Sequence, residues 1–345
     1  MKWSTYSERF YHSAKLKDYS DNYIKLSLEY AKVLFDQSLP IIYDQMHLSL
    51  LVGYEKEYLI KVSNSPVPFY REFKVPKKNK SDFRVIHEPL PNLKKIQRWI
   101  LDEILNMVEP SPFSKGFRKG YSIKDNAKFH RKQKKVLSVD IKNYFGTINY
   151  NMVYPFFRSL GYSKQVSTML SNICILEDAL PQGSPTSPML SNLITRQLDN
   201  RIGNFAKKKG IRYTRYADDL TFSGDFEEGV VINFVKKVFK EYGFTINEQK
   251  TRVRLESQQQ EVTGIVVNEK LQASRKYRRE FRKKMFFIKK YGLNSHLEHI
   301  NENDDIKYLY HLLGTANFII NVNPNDIEVK EHYSYLKELL YQLKK

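Results

Sequence analysis

Arg212-Tyr213-Thr214-Arg215-Tyr216-Ala217-Asp218-Asp219-Leu220-Thr221-Phe222-Ser223 decides the fold. Two β-prone runs flank the junction Ala217-Asp218-Asp219, which is short enough for a tight hairpin with two carboxylates at its tip. Asp is common in tight turns, so a plain turn pair is the ordinary reading of Asp218-Asp219 taken alone. A third acid changes that reading. In Val136-Leu137-Ser138-Val139-Asp140-Ile141, alternation sets Leu137, Val139 and Ile141 on one face of a strand and Asp140 on the other, 78 residues before Asp218. Between them Leu180-Pro181-Gln182-Gly183-Ser184-Pro185-Thr186-Ser187-Pro188 leads into a helix that turns Met189, Leu190, Leu193, Ile194, Leu198 and Ile202 toward the core. Carboxylates brought together from separate strands need a cation. Oxygen ligands suit Mg²⁺, which keeps waters and sites for substrate phosphates. Two such ions, about 3.5–4 Å apart, would activate an attacking 3′-hydroxyl and stabilise a departing pyrophosphate.

The composition agrees. Across 345 residues, 57 Lys+Arg against 38 Asp+Glu leave a formal charge of +19, so an acidic partner is expected. Hydrophobic residues at 41% and aromatics at 14% belong to a folded protein, not a basic tail. Charge alone leaves nucleic acid and an anionic membrane surface both open. The single cysteine, Cys174, excludes disulfide frameworks and multi-cysteine zinc or iron–sulfur sites, and reads as a small core residue. No apolar run approaches the ~18 residues of a membrane span, and the first 30 residues lack a signal-peptide core, so a soluble, reduced, intracellular protein is expected.

Outward from these motifs, residues 1–62 read as amphipathic helix, as in Tyr23-Ile24-Leu26-Tyr30-Val33-Leu34. A hairpin with a cationic tip is expected over 63–90, and a helix over about 91–108, stopped by the Pro-Ser-Pro at 110–112. Further expectations are a helix near 228–242, strands near 244–254 and 261–268, and a helical basic tail over about 274–345. At 275–284 seven of ten residues are cationic, while Tyr277, Phe281, Met285 and Ile288 recur at helical intervals. A helix packed on its aromatic face and laid along phosphate on the other fits that pattern, with a merely solvated basic face as the plain alternative.

Together, Tyr216-Ala217-Asp218-Asp219, Val139-Asp140-Ile141 before Asn143-Tyr144-Phe145, and the Leu180–Pro188 loop resemble the signature motifs of reverse transcriptases, in the family's order and spacing. The resemblance spans about residues 70–290. It implies an α+β right-hand polymerase of fingers, palm and helical thumb, with an antiparallel palm sheet carrying the catalytic, metal-binding acids Asp140, Asp218 and Asp219. It implies nucleotide-binding roles for Lys77 and Arg84 on the fingers hairpin, where a point charge and a forked guanidinium would grip the triphosphate. It makes Phe145 the bulky side chain that collides with a ribose 2′-hydroxyl, sets Gln182 and Gly183 against template and nucleotide, and makes Lys250 the proton donor to pyrophosphate. A solvated turn lysine, a core aromatic, a helix-entry loop and a surface lysine are the respective plain alternatives.

Two smaller elements narrow the class. Asn126-Ala127-Lys128-Phe129-His130 resembles the Asn-Ala-x-x-His element of retron reverse transcriptases, and Val262-Thr263-Gly264 their Val-Thr-Gly element. Asn126 and His130 would share a helix face, in an RNA contact or in a local polar contact. The retron resemblance implies a cognate structured noncoding RNA as primer and template, a cDNA started from a guanosine 2′-hydroxyl, deoxynucleoside triphosphates as substrates, and antiphage defence in the bacterial cytoplasm with an effector protein. RNA contacts would fall to Asn126, His130, Arg275, Arg278, Arg279 and Arg282. The expected division is an N-terminal helical extension over 1–62, fingers over 63–132, palm over 133–268 and thumb over 269–345. The 81 residues after Gly264 are too few for a thumb plus a ribonuclease H domain, so RNA removal is expected to fall to others. Another bacterial reverse transcriptase, of group II intron, diversity-generating or abortive-infection type, and a polymerase-shaped RNA scaffold restraining an effector are the rival readings.

Overall fold

The computed structural model describes residues 2–77 and 82–344. The expected cationic hairpin tip, at 78–81, lies outside the described residues. The chain runs through α1 (Trp3–Lys15), α2 (Asp21–Asp36), α3 (Gln45–Val52), α4 (Lys56–Asn64), β1 (Tyr70–Pro76), β2 (Phe83–Pro89), α5 (Pro91–Glu103), α6 (Ile123–Phe129) and β3 (Lys135–Ile141). It continues through α7 (Tyr144–Thr147), α8 (Tyr150–Ser159), α9 (Lys164–Cys174), α10 (Ser187–Ile194), α11 (Arg196–Lys208), β4 (Arg212–Tyr216), β5 (Asp219–Gly224), α12 (Glu228–Glu241) and β6 (Ile246–Leu255). Three short strands, β7 (Glu261–Val262), β8 (Ile265–Val266) and β9 (Gln272–Ala273), precede α13 (Arg275–Tyr291), α14 (Leu293–His299), α15 (Asp305–Val322) and α16 (Ile327–Leu343). These fall into two compact units.

The first unit takes residues 1–118, 141–201 and 237–245. Its helix α5 starts on Pro91, whose fixed φ suits a first helical turn, and buries Leu93, Ile96 and Ile100. It ends at Glu103, short of the expected 108, and a 3₁₀ turn at Leu105–Met107 follows. Helix α9 packs against α3, α4, α5 and α8, and buries Val166, Leu170, Ile173 and Cys174. A polar knot sits inside this apolar packing. The Gln97 side chain, fully buried, donates to Tyr70 Oη at 2.7 Å and to the Ile173 carbonyl at 2.8 Å, and accepts from Ser184 Oγ at 2.8 Å. Each bond offsets the desolvation that an unpaired buried amide would suffer. The β1–β2 hairpin is antiparallel, with Val75 opposite Arg84.

The second unit takes residues 119–140, 202–236 and 246–345. Its four-stranded sheet has the order β4-β5-β3-β6, with β5 antiparallel to both β4 and β3. Leu137, Val139, Leu220 and Phe222 form its apolar face, all fully buried or nearly so. The expected strand at 261–268 is instead the three-stranded β7-β8-β9 sheet, because Thr263 and Gly264 both take left-handed φ, 47° and 82°, and reverse the chain in two residues. The basic tail folds as α13–α16. Helix α13 turns Phe281, Met285 and Ile288 inward against Leu309, Leu312, Ala316 and Leu336, and burying each such side chain stabilises the fold by about 1.5–3 kcal/mol. No helix among the described residues is long and apolar enough to cross a membrane.

Candidate active site

The β4–β5 hairpin closes through Ala217 and Asp218, with Tyr216 opposite Asp219. Ala217 sits at φ 57°, the left-handed conformation that two-residue hairpins require and that a non-glycine residue adopts at some cost. What holds it there is Arg215, whose Nη1 donates to the Ala217 carbonyl at 2.7 Å. Arg215 is fully buried although charged. Sequence reasoning misses it because a lone Arg in a strand reads as solvent-facing. The only available signal is its alternation with Tyr213, which puts it on the apolar side of the hairpin.

In the β3–β5 ladder Asp140 stands directly opposite Asp219. Opposed residues of an antiparallel pair project to the same face, so register alone brings these two carboxylates together. Asp218 joins from the tip. One carboxylate oxygen from each of Asp140, Asp218 and Asp219 can be chosen so that all three lie within 4.8 Å of one another. Asp140 is the buried member, at 5% exposure, and Asp219 the exposed one. Lys250, on β6 beside β3, donates to Asp140 Oδ2 at 2.9 Å. That hydrogen bond, together with the charges of Asp140, Asp218 and Asp219, raises the Lys250 pKa and keeps it an ammonium. The donor set is all oxygen and anionic, which fits a hard divalent cation and not a soft one.

The remaining expected residues fall into separate groups. In the first unit, Lys77 and Arg84 are exposed on the β1–β2 hairpin, and Lys77 is ion-paired with Asp82. That pairing lowers the Asp82 pKa. Gln182 lends its carbonyl to the His87 amide of β2 at 2.7 Å. Gly183, at φ 129°, lies so close to β2 that a Cβ would meet the His87 carbonyl oxygen at 2.6 Å. Only glycine fits there. Phe145 is half-buried on α7, its ring 6.2 Å from Phe117 and 5.5 Å from Tyr144.

In the second unit Asn126 and His130 are both fully buried, so the expected RNA contact gives way to the local polar contact that was its alternative. Arg278 Nη1 lies 3.8 Å from Asp326 and Arg282 Nε 2.8 Å from Glu328, so two expected RNA ligands of α13 are tied to α16. Arg275 and Arg279 are exposed and form no ion pair among the described residues.

Register-matched acids on an antiparallel sheet, with a lysine held against one of them, make an all-oxygen site that can hold divalent cations against phosphate, the arrangement nucleotidyl transfer requires. Residues 75–277 match the reverse transcriptase (RNA-dependent DNA polymerase) family. The chain is 39% identical over 235 residues to the retron Ec86 reverse transcriptase of Escherichia coli, covering 67% of this chain and 73% of that one. It is 34% identical over 255 residues to the retron Mx65 reverse transcriptase of Myxococcus xanthus, covering 68% and 60%. With the retron Mx162 reverse transcriptase of the same organism it shares 34% over 229 residues, covering 58% and 47%. Among solved structures it is similar to a telomerase from Candida albicans in complex with a fragment of telomeric RNA, at 12% identity and a TM-score of 0.45 over 82% of this chain and 66% of that one. A foamy viral protease–reverse transcriptase in complex with double-stranded DNA gives 18% and 0.45 over 79% and 39%. The chain belongs to the reverse transcriptase family, as a retron-type RNA-directed DNA polymerase.

Proposed function

We propose that this polymerase copies part of a cognate structured noncoding RNA into single-stranded DNA, starting from the 2′-hydroxyl of a guanosine in that RNA, and that it serves in antiphage defence with an effector protein in the bacterial cytoplasm. The observation that carries the catalytic half is the Asp140–Asp219 register with Asp218 alongside. Two Mg²⁺ ions there would activate the attacking hydroxyl and stabilise the leaving pyrophosphate. Asp140, Asp218 and Asp219 would hold them, and Lys250 would supply a proton to the departing group. Lys77 and Arg84 would bind the triphosphate, Gln182 would meet template and nucleotide, and Phe145 would exclude the ribose 2′-hydroxyl. In this reading residues 1–62 form a helical extension, 63–132 fingers, 133–268 palm and 269–345 thumb, with Arg275 and Arg279 as the phosphate ligands of the thumb. The priming half is supported by similarity to several retron enzymes and by the retron elements around Asn126 and Val262.

Nucleic acid copurified with the protein tests it. After ribonuclease treatment the DNA 5′ end should keep a short RNA remnant joined 2′–5′ and removable by a debranching enzyme. A free 5′ end, or an ordinary 3′-primed RNA, would overturn the priming. Asp218→Asn should abolish extension in Mg²⁺ and leave RNA retention intact, and extension by this variant would overturn the metal assignment. RNA bound with no cDNA in any condition would favour a scaffold.

A further inference from the structure

We propose that His130 is a positioning residue for the catalytic hairpin, tying β4 to β5 so that Asp218 at the tip and Asp219 on β5 keep their places beside Asp140. This rests on the reading of Asp140, Asp218 and Asp219 as metal ligands.

Opposed pairs in the β3–β5 and β4–β5 ladders put Asp140, Ser138 and Val136 on one face together with Asp219, Thr221, Ser223, Tyr216, Thr214 and Arg212. The carboxylates occupy one end of that face. Its other end, four residues along β5 and about 13 Å away, is covered by α6. His130, the residue that ends α6, places its ring between the two strands. Its Nδ1 is 2.7 Å from Ser223 Oγ on β5, and its Nε2 is 2.7 Å from Thr214 Oγ1 on β4. Thr214 Oγ1 in turn donates to Asn126 Oδ1 at 2.6 Å. A hydroxyl has one proton, so with Thr214 donating to Asn126 the ring must give its Nε2–H to Thr214, and the neutral ring then accepts from Ser223 at Nδ1. One tautomer of the neutral ring is thereby selected. Burial, and after it the charge of Arg212, pulls the imidazole pKa down to about 3, so the arrangement does not switch near neutral pH.

Thr214 and Ser223 are diagonal neighbours, since Thr214 pairs with Thr221 and Ser223 with Arg212. A rigid ring bridging a diagonal adds a side-chain tie to the register that the two-residue turn sets, and resists sliding of one strand along the other. The ring itself is held from behind. Arg212 Nη1 donates to the Phe129 carbonyl at 2.9 Å, Ser122 and Asp125 form a capping box at the start of α6, and Thr263 Oγ1 donates to the Ile123 carbonyl at 3.3 Å. Ala127 and Val262 share one buried cluster with Val136, Ile265 and Val267. The two sequence elements that resemble retron motifs thus pack on one another through α6, and together they back the hairpin. A one-residue slip of β5 would send Asp219 to the opposite face, so even partial freedom in stagger spreads the carboxylates.

The test compares the parent, His130→Gln and the triple variant His130→Phe, Thr214→Val, Ser223→Ala. Replacing both sides of a buried hydrogen bond with apolar groups is close to neutral for stability, but Thr214→Val also takes the donor from Asn126 Oδ1, so the triple variant should stay folded and melt a few degrees below the parent, by what one unsatisfied buried acceptor costs. Mn²⁺ is the probe, bound in the absence of substrate and followed by electron paramagnetic resonance, alongside kcat and KM for a deoxynucleotide. The expected result is about 10-fold weaker Mn²⁺ binding and about 10-fold lower kcat in the triple variant, with KM unchanged. His130→Gln, which keeps a donor and an acceptor without the rigid span, should change both in the same direction by less. Parental Mn²⁺ affinity and kcat in a folded triple variant would overturn the proposal. If that variant does not fold, a His130→Gln protein with a lowered melting temperature but parental kcat and Mn²⁺ affinity overturns it equally. Asp218→Asn separates the two readings. If it binds Mn²⁺ as the parent does, the metal assignment fails, and the kcat of the His130 variants alone decides the positioning role.

Discussion

Lys250 Nζ donates to Asp140 Oδ2 at 2.9 Å, so the most buried carboxylate of the site is neutralised by a side chain from the neighbouring strand. The lysine occupies the charge that a metal ion would otherwise supply. Its pKa is raised, chiefly by this bond, so the ammonium persists through the neutral range and loses its proton only on the alkaline side. Lys250→Met should therefore have two opposite effects. Metal binding should tighten, because Asp140 loses its competitor, while the maximum extension rate should fall about 10²–10⁴-fold if the ammonium delivers a proton. Lys250→Arg keeps the charge but not a transferable proton, so it should slow extension without tightening metal binding. Single-turnover extension across a Mg²⁺ titration measures both, and a parental maximum rate in Lys250→Met would remove the lysine from proton transfer.

The hairpin, the Asp140 strand and the Leu180–Pro188 loop are legible in the sequence because their chemistry is local: alternation, tight-turn length and proline spacing need no partner. Lys250 is legible only through resemblance, since its ion pair joins residues 110 apart. Arg215 and the pair Asn126 and His130 defeat sequence reading for a shared reason. Polar types count as surface, and nothing in the order of residues announces that Ala217 will accept from Arg215, that Thr214 and Ser223 will bond the His130 ring, or that Thr214 will donate to Asn126. The same gap hides the ion pairs of Arg278 and Arg282, whose acids lie 48 and 46 residues further on, at the N-terminal end of α16.

Phe145→Val tests the steric role. The half-buried ring should, on truncation, admit ribonucleotides with a gain in relative efficiency of about 10-fold or more, the scale on which small pocket changes discriminate. Deoxynucleotide incorporation should fall less. An unchanged ratio of kcat/KM for the two nucleotide classes would mark Phe145 as ordinary packing.

Gly183→Ala combines a left-handed φ with a 2.6 Å approach to the His87 carbonyl, whereas Gly53→Ala has φ 73° and nothing within 4 Å. Both should lose the about 1–2 kcal/mol of a left-handed L-residue. Only Gly183→Ala should also lower extension, because the loop must pull away from β2 and carry Gln182 with it. Thermal melts and extension on the two variants check this. Equal activity losses would show that the close approach is without consequence.

His130 predicts acid sensitivity. Its pKa in the fold is about 3, whereas the exposed ring of the unfolded chain titrates near 6.5, so the unfolded state binds the proton first. The stability it contributes is complete above about pH 6.5 and is lost as pH falls toward 3, at about 1.4 kcal/mol per unit. Arg212 is the charged neighbour that strengthens the effect. Urea unfolding at pH 7, 6 and 5 should show a steeper decline for the parent than for His130→Gln. Parallel declines would mean that the ring titrates normally in the fold.

The four arginines of α13 should divide into two functional pairs. Arg278 and Arg282 face Asp326 and Glu328, and neutralising them breaks ion pairs within the helical tail, so the first effect should be on stability. Arg282 is 44% exposed and its pair correspondingly screened, so the loss there should be under about 1 kcal/mol. Arg275 and Arg279 are exposed and outside these ion pairs, which leaves their charge available to phosphate. Replacing both with Gln should reduce the slope of log affinity against log salt by roughly 0.7–0.9 for each phosphate no longer neutralised, with no change in melting temperature. The reverse assignment, with salt slope following Arg278 and Arg282 and stability following Arg275 and Arg279, would mean that RNA displaces the α16 acids on binding. RNA affinities at three salt concentrations for the two double variants distinguish these outcomes.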